Sequence, residues 1–178
     1  MTITGIIKKI LEKHIDSMLY VIRRHEEKIF CDKGVLRKVS PASITIDTVD
    51  ENRDEVIPQR FEFNDFESNQ ILNIYNRFNI DLLKGREVKT LSDKFKNRDL
   101  QHKIIKNIKP FINRELSIVY RTSEYVIVVK GKFADMGIKG LTVLVAPFYN
   151  KELIVAYDQI LNIYSFKEDL VDVKIDEM

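Results

Sequence analysis

Apolar residues near the amino terminus fall at Ile3, Ile6, Ile7, Ile10, Leu11, Ile15 and Met18. That i, i+3, i+4 spacing gives a helix one apolar face. Beyond it the pattern changes to short β-branched and aromatic runs broken by Gly, Asn and Pro, as an antiparallel meander requires. The helical period returns at Leu100, Ile104, Ile108, Phe111 and Ile112, where Pro110 predicts an end or a bend near Lys109. Five strands are then predicted near 116–121, 125–135, 141–146, 152–157 and 160–165. Hairpin turns are expected at Arg121–Glu124 and Pro147–Lys151.

The order helix-then-strands occurs twice because the chain is duplicated. The hexapeptide QILNIY stands at Gln70–Tyr75 and again at Gln159–Tyr164. A shift of 97 residues lays Leu19–Gly34 on Leu116–Gly131 without a gap, and six of the 29 positions from 19 to 47 are identical. Ile7, Leu11 and Ile15 fall on Ile104, Ile108 and Ile112, so the two helices match as well. At QILNIY the shift is 89, so the first copy holds eight extra residues, in or beside an acidic stretch, as a surface loop tolerates. The fold expected is mainly β with helices (α+β): two small barrels of about 75 residues, each preceded by an amphipathic helix that covers an open end. Residues 1–76 form the first repeat, 77–90 a linker, and 91–178 the second repeat with an acidic tail. Alternation at Val171, Val173 and Ile175 leaves that tail either an edge strand or loose.

The second copy, ELSIVYRTSEYVIVVKGKFADMGIKGLTVLVA followed by KELIVAYDQILNIY, resembles the YolD-like group and the wider Sm-like small barrels over residues 100–166, and residues 3–75 do so more faintly. The resemblance implies barrels of the Sm-like or SH3-like type. For Sm-like proteins it implies RNA binding and ring assembly, and for YolD-like proteins an accessory role near error-prone DNA repair. Sm-type uridine recognition uses an Asp and an Asn in one loop and an Arg-Gly pair before the last strand. Here those places read SPAS and GIKG, then ESNQ and AYDQ, with no Arg-Gly.

Charge is segregated behind the small net value of +2. Residues 84–114 hold ten Lys or Arg against three acids, whereas residues 47–67 hold eight acids against two Arg. Within the basic stretch Lys89, Lys94, Lys96, Arg98, Lys103 and Lys106 are candidate phosphate contacts, because neutralising phosphates releases counterions whatever the base sequence. Phe95 lies among them as a candidate stacking residue. The plainer alternative is a solvated helix face. Phe148 and Tyr149, in the turn PFYN, are candidate contacts for a protein partner. The acids Asp47, Asp50, Glu51, Asp54 and Glu55 lack the calcium-loop spacing and read as solvated.

His14, His25, His102 and Cys31 share no metal-ligand spacing, and Cys31 aligns with Val128 as a small core residue. No phosphate loop, nucleophile elbow or HExxH is present. The expected function is therefore a non-catalytic binding module for a protein partner or nucleic acid, with no metal or cofactor. A structural or ring-forming subunit, with homo-oligomers possible, and an enzyme with a carboxylate site are the alternatives. The lone cysteine and the absence of a leader or a long apolar run point to the cytoplasm, away from any membrane.

Overall fold

The computed structural model describes residues 3–50, 52–67, 70–76, 80–83, 86–166 and 168–172. The chain divides into two compact units, Met1–Val88 and Lys89–Met178. No helix among the described residues is long and apolar enough to cross a membrane.

The first unit runs α1 (Ile3–Glu12), β1 (Met18–His25), β2 (Lys28–Val39), β3 (Ser43–Asp50), β4 (Glu55–Glu62), α2 (Asn64–Glu67), β5 (Ile71–Asn76), β6 (Ile80–Asp81) and β7 (Arg86–Glu87). Its sheet is antiparallel, in the order β4-β3-β2-β1-β5-β6-β7. The helical spacing places Ile7 and Leu11 on the inner face of α1, in a core with Leu19, Val21, Leu36, Ile44, Ile46 and Ile74. The second unit runs α3 (Leu91–Phe95), α4 (Arg98–Ile108), a 3-10 turn (Lys109–Phe111), β8 (Glu115–Arg121), β9 (Val126–Met136), β10 (Gly140–Val145), β11 (Lys151–Ala156) and β12 (Ile160–Tyr164). The sheet order β11-β10-β9-β8-β12 repeats the first five strands of the other unit. Strand bounds differ from those expected by one residue at most, and α4 gives way to the 3-10 turn at Lys109, beside Pro110.

The duplication extends to single hydrogen bonds. Asp16 and Asn113, 97 residues apart, both have positive φ (70° and 67°), a conformation Asp and Asn adopt more readily than most residues. The Asp16 N–H donates to the Leu36 carbonyl at 2.7 Å, and the Asn113 N–H donates to the Phe133 carbonyl at 2.7 Å. The eight extra residues divide in two. Ser43 faces Glu62 across the first hairpin and Gly140 faces Ala156 across the second, so the first hairpin is three residues longer. The other five lie between Glu62 and Ile71 and include α2.

A second matched device follows QILNIY. Asn73 Nδ2 donates to Asp81 Oδ2 at 3.0 Å, and Asn162 Nδ2 donates to Asp169 Oδ2 at 3.1 Å. Each aspartate also accepts from a backbone N–H two residues on, Leu83 and Val171 respectively. The residue after each aspartate, Leu82 or Leu170, is buried and donates its N–H back to Ile74 or Ile163. The 77–90 stretch therefore carries β6 and β7 on the first sheet, and the second tail holds to β12 through a bridge between Tyr164 and Asp169. Val173 and Ile175 lie outside the described residues.

In both units the second strand passes from its first partner to its next at a glycine. A Cβ on Gly34 would lie 2.2 Å from Ile46 Cγ2 and 2.6 Å from the Asp47 carbonyl oxygen, and one on Gly131 would lie 2.4 Å from the Leu144 carbonyl oxygen. Because backbone cannot yield as a flexible side chain does, Gly131→Ala is expected to destabilise the second unit by about 2 kcal/mol or more. Gly137→Ala, whose Cβ would meet only the Gly140 carbonyl oxygen at 3.5 Å, should stay within about 0.5 kcal/mol. Urea denaturation of the two variants checks the contrast.

Candidate nucleic-acid interface

The basic segment is two helices, because two polar side chains start helices within it. Thr90 caps α3 by accepting from the Asp93 N–H at 3.4 Å, and its hydroxyl donates to Asp93 Oδ2 at 3.1 Å. Asn97 caps α4, its Oδ1 accepting from the N–H groups of Asp99 and Leu100 at 3.0 and 3.2 Å. Lys96 donates to Asp93 at 3.1 Å, and this bond, with that from Thr90, holds the Asp93 carboxyl below its ordinary pKa.

In α4 the sequence places Leu100, Ile104 and Ile108 four residues apart, and all three pack on the core. Ile104 and Ile108 are fully buried, each worth roughly 1.5–3 kcal/mol of transfer free energy. With that face committed, Arg98, Asp99, His102 and Lys106 stand exposed, Lys103 is half-buried at the rim, and Lys109 extends the exposed row into the 3-10 turn. Among the described residues no ion pair engages Arg98, Lys103, Lys106 or Lys109. Lys89 and Lys96 are exposed and Lys94 is half-buried, so they too reach solvent, Lys96 while paired with Asp93.

Phe95 departs from the expectation of a free stacking aromatic. It is half-buried against the second core, its ring edge-on to Tyr157 with centroids 5.2 Å apart. The matching position explains why. Phe63, like Tyr157, follows the fourth strand of its unit, and the N–H groups of Phe63 and Tyr157 donate to the equivalent carbonyls of Ala42 and Lys139. Phe63 packs against Phe66 of α2, with centroids 5.6 Å apart. Each unit thus supplies a second aromatic to the same place, the first from the extra residues after β4, the second from α3. No sequence alignment pairs Phe66 with Phe95, so this packing role was not legible.

Phe148 and Tyr149 lie in the β10–β11 turn as expected, but they face different surroundings. Phe148 is 81% exposed, whereas the Tyr149 hydroxyl donates to Glu115 Oε1 at 3.0 Å, which raises the phenol pKa. In the first unit the acids are partly paired, Asp47 with Arg37 at 3.0 Å, and Glu62 with Arg60 at 2.8 Å. Among the described residues no group of three or more His, Cys, Asp or Glu is placed to hold a metal ion. Comparison of the chain with protein-family models, curated proteins and solved structures finds no match.

Two outcomes follow from these environments. Phe95→Ala is expected to lower the stability of the second unit by about 2–3 kcal/mol, somewhat less than a fully buried Phe→Ala, while the circular dichroism of the native state stays unchanged. Cys31, expected in the core, is half-buried on β2, as its match Val128 is on β9. Partial burial, then the neighbouring Asp32 charge, pushes the Cys31 thiol up to about 12, so near neutral pH it stays protonated in the folded chain and becomes an ordinary thiol on unfolding. Alkylation by iodoacetamide at pH 8 should therefore run about a hundredfold or more slower in the native protein than in urea, as read by mass spectrometry.

Proposed function

We propose that this chain is a non-catalytic binding module built from two Sm-like or SH3-like barrels, and that its second unit takes nucleic acid on the outward face of α4. The barrel reading is supported by the shared strand order and by the glycine at which each second strand passes from one neighbour to the other. The binding reading rests on one observation: Arg98, Lys103, Lys106 and Lys109 line the solvent side of one short helix with a single carboxylate, Asp99, among them.

Lys103 with Lys106 and Lys106 with Lys109 are like charges three residues apart, a spacing that destabilises a helix by a few tenths of a kcal/mol per pair. Lys106 and Lys109 recover part of that from the negative end of the helix dipole, but Arg98 sits at the other end, where a cation is unfavourable. A polyanion relieves all of these repulsions at once. With Phe95 of α3 engaged in packing, α4 offers mainly charge, which suits phosphate contact without base readout.

Fluorescence anisotropy with labelled oligonucleotides tests this. Binding should weaken steeply as salt rises, each neutralised phosphate contributing about −0.7 to −0.9 to the slope of log K against log salt. The combined change Arg98→Glu, Lys103→Glu, Lys106→Glu and Lys109→Glu should weaken binding by about a hundredfold or more, with the fold intact because none of the four is buried. Absence of binding by the unaltered chain at low salt would refute the proposal.

A further inference from the structure

The most exposed aromatic side chain among the described residues is Phe148, and the turn beneath it is firmly held. The Ala146 N–H donates to the Lys130 carbonyl at 2.9 Å, and the Tyr149 N–H donates to the Val145 carbonyl at 3.0 Å. Tyr149, in the left-handed region at φ 56°, folds its ring back so that its hydroxyl reaches Glu115. Lys130 Nζ lies 3.6 Å from the same carboxylate oxygen. The turn thus anchors one aromatic on the sheet and leaves the other in water.

Cations lie at its base and along the sheet that leads to it. Lys132 pairs across the sheet with Glu115, Lys151 pairs with Val145 at the base of the turn, and Arg114 adjoins Glu115 in the chain. Arg114, Lys132 and Lys151 are exposed, and the carboxylates near them are Glu115, already met by Lys130 and Tyr149, and Glu152. The basic row of α4 leads to this place: past Lys109 the chain makes one 3-10 turn and enters β8 at Glu115. Charge and an exposed aromatic, separated at Phe95, are combined here.

We infer that the nucleic acid is single-stranded, with phosphates along α4 and around Arg114, Lys130 and Lys132, and one unpaired base stacked on Phe148. This rests on the reading of α4 as the phosphate-binding face. A base inside a duplex is stacked on both sides and offers no face to a hairpin tip, whereas an unpaired base does, and aromatic stacking tolerates any base.

The test compares a labelled 20-nucleotide oligo(dT) with a mixed-sequence duplex of equal length. The proteins are the unaltered chain, Phe148→Ala, Phe148→Trp and the fourfold α4 charge reversal, and thermal melting shows that each is folded. Phe148→Ala should weaken single-strand binding roughly 5- to 100-fold, the range for one stacked base. It should leave the salt slope and the weaker duplex binding unchanged, and Phe148→Trp should restore affinity. Single-strand binding that depends on the α4 charges but is indifferent to Phe148→Ala overturns this inference, leaves the α4 reading intact and hands Phe148 to a protein partner. No binding to either probe overturns both.

Discussion

Each unit depends on one position in its second strand where no side chain fits. Gly34 and Gly131 stand opposite the first core leucine of the preceding strand, Leu19 and Leu116, and opposite Thr48 and Val145 of the following one. A Cβ there would strike the third strand, so the glycine lets a long strand serve two neighbours, pairing with the first strand over one half and the third over the other. The consequence for the surface is direct: Val145, paired with Gly131, is the last residue of β10, and the turn bearing Phe148 starts at the next residue.

The two units meet the same packing demand with different pieces of chain, and this separates their surfaces chemically. Phe63 and Tyr157 each need an aromatic neighbour at the end of the fourth strand. The first unit inserts α2 to supply Phe66, and its extra residues are largely acidic and polar. The second leaves only a tight turn after β11 and brings Phe95 from α3, upstream of the main helix. Leu91, fully buried, and the half-buried Phe95 fix α3 on the core, so Lys96 beside them carries none of that packing.

Much of this was legible because periodicity and self-similarity report burial. The strands of the second unit and the helices α1 and α4 followed from apolar spacing, whereas α2, α3, β6 and β7 did not. The Asn–Asp ties were hidden, since Asp81 and Asp169 lie 88 residues apart while the adjoining QILNIY copies lie 89 apart, and Lys167 precedes an acidic run that reads as solvated tail. Buried Asn73 and Asn162 were the available signal: a polar residue inside an apolar hexapeptide demands a partner. Phe95 misled for the converse reason. An aromatic between lysines looks exposed when its neighbours define its surroundings, and its contact lies more than 60 residues away, at Tyr157.

The same separation decides what substitutions on α4 can reveal. Leu100, Ile104 and Ile108 already satisfy the helix's contact with the core, and Asn97 satisfies its first free N–H groups. Arg98, Lys103, Lys106 and Lys109 make no ion pair among the described residues, so removing their charge costs no folded-state salt bridge and, at the last three, relieves mutual repulsion. A helix whose outer charges oppose its own stability by a few tenths of a kcal/mol per pair gains from any dense array of negative charge laid along it. Phosphates supply such an array continuously, whereas a protein's carboxylates must be positioned one side chain at a time, at an entropic cost for each. That difference is the physical ground on which we propose nucleic acid, ahead of an acidic protein, for this face.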